Sequence, residues 1–441
     1  MNIVDSAAAI PTRAADNLGS IYRKIGFRLI PILMLLWVMA WIDRVNVSFA
    51  KLQMMDELRF SDAVYGLGAG IFFIGYLIFE VPSNLLLQKI GARRTIARIA
   101  IGWGATCALM ALVTTPTAFY ALRFLLGAFE AGFFPGVILY LTLWFPSNRR
   151  ARVFGIFMSS AALSGVLGGP LAGLIMSALH AHVGLSGWQW LFILEGIPTM
   201  LIGVFCLFYL TDKLKDARWL SLEERAAVAA DLERDHAVLG DREHHFGSVI
   251  RDRRLWAFTA IYFCVIVANA TVAFWGPTII RSAGVADIQT IGWIVSGASL
   301  LGSAVMILNG FIADRTGRPL ILCILSLLVA SVALGTIATF LHTSAVITIV
   351  AFAFALAGAY GTIPVFWQMP NRLFAGTAAA GGIAVINSFG NLGGFLAPYG
   401  LGLAASETGD VAGGLIAVSL IVVIAVFGIV AARRFFTPGT V

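Results

Sequence analysis

Apolar residues fall in runs of about 20, the length a helix needs to cross the hydrocarbon core of a bilayer, with short polar stretches between them. Six such runs occupy roughly 27–49, 64–88, 95–114, 117–143, 152–179 and 188–211. Six more occupy roughly 255–280, 288–312, 319–341, 345–369, 377–403 and 411–432. The pattern predicts an all-α integral membrane protein with twelve transmembrane helices in two six-helix bundles, 27–211 and 255–432. Tails at 1–26 and 433–441 flank them, and 212–254 is the only long polar segment. This linker alternates acids and bases from Asp212 to Asp235, which predicts a solvated loop with a short amphipathic helix near 221–236. His236, His244 and His245 lie in it without a nearby Cys, so no metal site is expected.

Composition strengthens this picture. Only 12% of the 441 residues are charged and 59% are hydrophobic, whereas soluble proteins carry about 25% charged residues. The net charge of +7 alone would suit a nucleic-acid binder, but the placement of the bases argues for topology instead. With the N-terminus in the cytoplasm, most Lys and Arg residues fall in cytoplasmic segments, and only Lys51, Arg59 and Arg281 fall outside. The positive-inside rule then puts both termini in the cytoplasm and the chain in the inner membrane. The polar, mixed-charge stretch 1–26 reads as a cytosolic tail rather than a cleavable signal. Cys107, Cys206, Cys264 and Cys323 all fall in apolar spans without metal-ligand spacing, as small core residues do.

Four ionisable residues lie inside the spans: Asp43, Arg44, Arg123 and Glu130. A charge at membrane depth costs at least a few kcal/mol, so such groups face a partner or a watered cavity. Arg44 and Arg123 lie about 9 and about 10 Å from the outer ends of their spans at 1.5 Å per residue. The two guanidiniums thus share one depth, and each can grip a carboxylate through two N–H donors. The competing reading is an ion pair between helices, Arg44 with Glu130 or Arg123 with Asp43. Glu130 follows Arg123 by seven residues and shares its helix face. Burial favours a neutral carboxyl and a nearby arginine favours a charged one, an opposition suited to taking and releasing a proton. Glu80 and Glu195 read as caps or interhelical partners. In the second half, Asn387 and Asn391 share a face and offer amides to a ligand or to a neighbouring helix. Among aromatic candidates for pocket walls (Tyr76, Phe133, Tyr140, Trp275, Tyr360, Trp367), Tyr76 stands out beside Val81-Pro82-Ser83-Asn84.

A loop motif recurs. Gln88-Lys89-Ile90-Gly91-Ala92-Arg93 follows the second span, and Asp314-Arg315-Thr316-Gly317-Arg318 follows the eighth. Aligning Gly91 with Gly317 places Lys89 on Arg315, which suggests an internal duplication. The six-plus-six plan with this paired loop resembles the major facilitator superfamily, although Gln88 stands where the superfamily usually has Asp. Further motifs are Trp41-Ile42-Asp43-Arg44-Val45-Asn46, Arg123-Phe124-Leu125-Leu126-Gly127-Ala128-Phe129-Glu130 and Leu194-Glu195-Gly196-Ile197-Pro198. With them the chain resembles the anion:cation symporter branch, whose members move organic acids, mostly with protons.

The resemblance implies a major facilitator fold and a proton-coupled importer of a small organic anion. It favours Arg44 as the anion binder, Arg123 as partner to the acids, and Asp43 and Glu130 as proton carriers. Tyr76, Asn387 and Asn391 complete the expected substrate site. Lys89, Gly91, Arg93, Asp314, Arg315, Gly317 and Arg318 form the expected gating loops. The hydroxyls of Ser159, Ser160 and Ser164 are few for a sugar acid, which tilts the expectation to a short dicarboxylate or an aromatic acid. Alternatives are a sugar-acid symporter, an organic anion/phosphate antiporter and a membrane sensor. An antiporter for phosphate esters would need a second-half arginine at depth, and span 7 has none. An enzyme is not expected, since no His lies at depth beside a nucleophile. No cofactor beyond the coupling proton is expected. The expected partners are the anion, the proton and the bilayer, with no nucleic acid, and the protein is expected to be a monomer.

Overall fold

The computed structural model describes residues 17–239, 251–373 and 376–431. His244, His245, the tail 433–441 and most of 1–26 lie outside the described residues. The first half holds α1 (Leu18–Leu58), α2 (Asp62–Ile90), α3 (Ala92–Leu109), α4 (Pro116–Glu130), α5 (Phe133–Thr142), α6 (Ser147–Ala178) and α7 (Gly187–Tyr209). A linker helix α8 (Leu222–Leu239) follows. The second half holds α9 (Arg253–Ser282), α10 (Ile288–Thr316), α11 (Pro319–Phe340), α12 (Ala345–Leu373), α13 (Gly376–Gly390), α14 (Leu392–Thr408) and α15 (Ala412–Ala431). Among the described residues, eleven stretches are long and apolar enough to cross a membrane. The expected span at 377–403 is divided between α13 and α14, each too short to count alone.

Span 4 is also not continuous. Ala131 turns extended and Gly132 adopts φ 84°, so α4 ends at Glu130 and α5 starts at Phe133. Only glycine fits there, because a Cβ on Gly132 would lie 2.6 Å from Ser83 Oγ.

The chain enters α1 and leaves α15 on one side, here called the tail face. The halves meet toward the opposite, far face. Gly66 and Gly70 of α2 abut the backbone of Pro398 and Phe395 on α14, and Gly169 of α6 abuts Gly292 of α10. A Cβ on Gly292 would lie 2.3 Å from the Gly169 carbonyl oxygen. Ala63 N–H donates to Ser406 Oγ at 2.8 Å, Ser296 Oγ donates to the Val166 carbonyl at 2.7 Å, and Tyr65 O–H donates to the Phe274 carbonyl. Lys51 is buried at this seam, 2.7 Å from Asp62 and 3.9 Å above the Trp275 ring. Trp275, a candidate pocket wall, is thus part of the far-face seal.

The linker helix is not a free solvated element. Tyr22 O–H donates to Asp231 at 2.8 Å, and Lys24 and Arg150 pair with Glu224 and Asp235 at 2.8 and 3.0 Å. Ala227 and Val228 of α8 itself are buried, so α8 clasps α1 and α6. Burial would raise the Glu224 carboxyl, but the Lys24 ammonium and the Ser221 N–H outweigh it and hold the group below its usual value. A depressed carboxylate contributes stability above its unfolded value of about 4.3, and loses it as pH falls through the folded value. Amide exchange in α8 is expected to stay slow at neutral and mildly acidic pH and to speed up only below about pH 4. Fast exchange at neutral pH would show that the clasp does not form.

Candidate functional site

The break after α4 leaves Glu130 at a helix end, where Arg44 of α1 reaches it. Arg44 Nη2 donates to Glu130 Oε1 in a charge-assisted ion pair. Glu130 is buried, while 15% of the Arg44 side chain stays accessible. Three aromatic rings flank the guanidinium: Trp41 at 4.9 Å, Phe72 at 5.2 Å and Tyr76 at 5.5 Å. Stacked, weakly hydrated guanidinium suits recognition of a planar carboxylate. Glu130 Oε2 and Arg44 Nε are both buried without a partner. One is an acceptor able to take a proton and the other a donor able to hold an anion.

Arg123 lies at the same level, with the Phe72 ring 5.2 Å from each guanidinium. Its expected partnership with an acidic residue is corrected by the structure. Arg123 is fully buried and donates to the carbonyls of Gly68 and Ala69 at 3.1 and 3.4 Å. The reason is the near contact of α2 and α4. A Cβ on Gly127 would lie 2.0 Å from the Phe72 carbonyl oxygen, and one on Gly75 would lie 2.2 Å from that of Phe124. Backbone oxygens therefore reach Arg123 Nε and Nη2 first, and Nη1 is left buried without a partner. In this conformation Arg123 is a positioning base rather than an open anion site.

Asp43 neighbours Arg44 in sequence but faces the other way, toward α3 and α7. It is fully buried and accepts from Trp103 Nε1 at 2.6 Å and from Cys107 Sγ at 3.2 Å, while Thr199 Oγ1, 3.4 Å away, donates to the Glu195 carbonyl at 2.8 Å. Glu195 on α7 accepts from Asn46 Nδ2 of α1 at 2.7 Å, the interhelical pairing expected of it. Cys107 and Asn46 join the two carboxyls into one cluster, since Asn46 Nδ2 also lies 3.5 Å from Cys107 Sγ. Neither residue stood out in the sequence beyond its place in an apolar span or a motif. The i,i+3 spacing of Asp43 and Asn46 was the available signal, because it puts both on one helix face.

Tyr76 is half-buried beside Arg44, and Glu80 lies one turn further toward the tail face, within electrostatic reach of both. Asn387 and Asn391 bracket the junction of α13 and α14, both half-buried. Ser159 and Ser164 spend their hydroxyls on their own helix, donating to Ile156 and Ala161 carbonyls at 2.7 Å. Among the loop residues, Gly91 takes φ 88° between α2 and α3, and Arg93 donates its backbone N–H to Asp212 at 2.7 Å. Asp212, from the end of the first half, thus stands where Gln88 leaves the loop without an acid. In the second loop Gly317 ends α10 at φ 67°, Gln368 donates to Asp314 at 3.0 Å, and Arg315 stacks on Phe311 at 4.1 Å. Lys89 and Arg318 are exposed at the same face.

A family model described as Major Facilitator Superfamily matches residues 32–398. The chain belongs to that superfamily. It is a multi-pass membrane transporter, not an enzyme. One relative, a "Putative tartrate transporter" of Agrobacterium vitis, is 44% identical over 94% of this chain and 95% of its own length. The "Putative metabolite transport protein NicT" of Pseudomonas putida is 44% identical over 88% of this chain and 89% of its own length. A "Quinolone resistance transporter" of Acinetobacter baumannii is 39% identical over 93% of each chain. Among solved structures, a bacterial homologue of the human lysosomal transporter Spinster, inward-facing and occupied, superposes with TM-score 0.74 at 16% identity, covering 95% of this transporter and 99% of that chain. The xylose transporter XylE of Escherichia coli, partially occluded and inward open, gives 0.73 at 14%, covering 94% and 99%. At such identities these two speak for the fold alone.

Proposed function

We propose that the transporter is a proton-coupled importer of a small organic anion, with a short dicarboxylate or an aromatic acid favoured. The observation that carries this is the Arg44–Glu130 pair, a cation with an accessible edge whose partner is a buried, half-satisfied carboxylate. A substrate carboxylate and ionised Glu130 compete for the same guanidinium. Protonating Glu130 frees Arg44 for the anion, so proton and anion load together. Names of relatives that concern tartrate and other metabolites support the substrate class. The tail face is the cytoplasmic one by the distribution of Lys and Arg. With the far-face seal closed, the accessible edge of Arg44 opens toward the cytoplasm, the state from which substrate leaves. Asn387, Asn391 and Tyr76 are the remaining substrate contacts. Asp43 takes part in proton coupling. The protein works as a monomer in the inner membrane, by alternating access of its two halves.

The test is uptake into sealed vesicles under an imposed pH gradient, with tartrate and aromatic acids as probes. Accumulation that collapses with the gradient is expected. Ligand that stabilises the purified protein but never accumulates would favour a sensor. Arg44→Lys keeps the charge and loses the planar fork, so it is expected to weaken anion binding by about tenfold, roughly 1.4 kcal/mol. Thermal-shift titration of the purified variant reads this, and wild-type affinity would remove Arg44 from the site.

A further inference from the structure

The cluster of Asp43, Asn46, Cys107, Glu195 and Thr199 is separate from the Arg44–Glu130 pair and holds two carboxyls deep in the first half. Their surroundings differ in one respect. Asp43 has a donor on each oxygen, Trp103 Nε1 on Oδ2 and Cys107 Sγ on Oδ1, with the Thr199 hydroxyl 3.4 Å from Oδ2 and bonded at 2.8 Å to the Glu195 carbonyl. That is the dress of an ionised carboxylate, which accepts only. Glu195 has a single donor, Asn46 Nδ2 on Oε2, and its Oε1 is buried with no partner. Asn46 Oδ1 is likewise a buried acceptor with no donor.

Two orphaned acceptors on one bonded pair of side chains lack the same thing, a hydrogen. Buried polar groups left unpaired are costly, and one proton on Glu195 supplies a donor where none exists. Turning the Asn46 amide over does not remove the need. It would set Oδ1 against Glu195 Oε2, and two acceptors meet there only if a proton lies between them. Charge points the same way. No Lys, Arg or His makes an ion pair with either carboxyl among the described residues. The groups facing the cluster are Asn46 on α1, Trp103 and Cys107 on α3, and Thr199 on α7, with Glu130 and Arg123 of α4 acting at longer range. The ionisable residues of α6, which also packs on α7, are Arg149, Arg150 and Arg152 at its tail-face start. Two like charges this close in an apolar interior do not both ionise.

We infer that Glu195 and Asp43 form one proton-holding unit, with a single proton that resides on Glu195 in this conformation while Asp43 carries the charge. The inference rests on the proton-coupled reading above and adds a residue to it. Asn46 and Cys107 link the two carboxyls, so the proton's position and the set of the α1–α3–α7 contacts change together. α3 and α7 are held for this by their closest approach, where a Cβ on Gly104 would lie 2.7 Å from the Gly196 carbonyl oxygen. Glu195 is a positioning residue for the proton and has no role in gripping the anion.

The test compares Glu195→Gln, Asp43→Asn and the double variant in vesicles under an imposed pH gradient. Members of one unit are non-additive. Each single variant is expected to cut accumulation by about tenfold or more and the double no further, while Glu195→Asp restores the pH profile of uptake in part. Independent losses that multiply, or a wild-type pH profile in Glu195→Gln, overturn the inference. Infrared difference spectra of the purified protein read the proton directly, without transport. A protonated-carboxyl band is expected in the wild type above neutral pH, and it shifts in Glu195→Asp. Its absence from the wild type overturns the inference even where Glu195→Gln does not fold. A wild type that never accumulates any acid refutes the transport reading instead, and the infrared result still stands or falls alone.

Discussion

Glu130→Gln is expected to abolish uphill uptake while leaving counterflow exchange in place. The argument is electrostatic. In the wild type Glu130 pairs with Arg44, and on the proposed mechanism a substrate carboxylate must displace it or wait for its protonation. An amide has no charge to lose, so the variant binds the anion at any pH and carries no proton with it. A hydrogen bond to a charged group is worth about 1.5–3 kcal/mol net. Removing the internal competitor should therefore tighten anion binding above neutral pH by about tenfold or more. The sign matters: wild-type affinity falls as pH rises and Glu130 ionises, whereas the variant's affinity stays flat. Binding titrations across pH, beside uptake and counterflow in the same vesicles, read both effects. Full pH-driven accumulation by the variant would remove Glu130 from the coupling role.

The second large effect belongs to the far-face seal. Gly292→Val puts a branched side chain where even a Cβ would lie 2.3 Å from the Gly169 carbonyl oxygen. Backbone oxygen on a packed helix does not yield as a flexible side chain does, and overpacking of this kind costs about 1–3 kcal/mol. The cost falls only on the conformation in which α6 and α10 touch. The variant is thus expected to fold, to rest with its far face parted, and to transport at about a tenth of the wild-type rate or less. Lys51 is the reporter. It is 6% exposed between Asp62 and Trp275, so a membrane-impermeant amine reagent should label it poorly in the wild type and well in Gly292→Val. Unchanged labelling with normal transport would mean that the glycine contact is not needed for closure.

Most of the architecture is legible in the chain because apolar runs of membrane length have few other uses. Asp43, Arg44, Arg123 and Glu130 stand out for the same reason, as charges where charge is costly. What the periodicity hides is which partner each one finds. Arg123 bonds to Gly68 and Ala69, residues that carry no polar side chain to signal it. Glu195 meets Asn46 across 149 positions, and such a meeting depends on how α1 and α7 cross, which a helical repeat does not encode. The break at Gly132 hides inside an apolar run, since glycine is common in membrane helices for packing reasons as well. Alternating charges at 212–235 look like solvated loop, yet three of them, Glu224, Asp231 and Asp235, dock the helix α8 onto α1 and α6. A polar surface that pairs with another polar surface reads the same as one that faces water.

Among the described residues, the buried carboxyls and bases at depth belong to the first half. Among the described residues, the buried polar groups of the second half are Ser, Thr and Asn, all uncharged. A membrane potential does work only on charge, about 2.3 kcal/mol per elementary charge for each 100 mV crossed. On the proposed alternating-access cycle, the voltage therefore acts on the buried charges of the first half, Asp43, Arg44, Arg123 and Glu130, as that bundle moves.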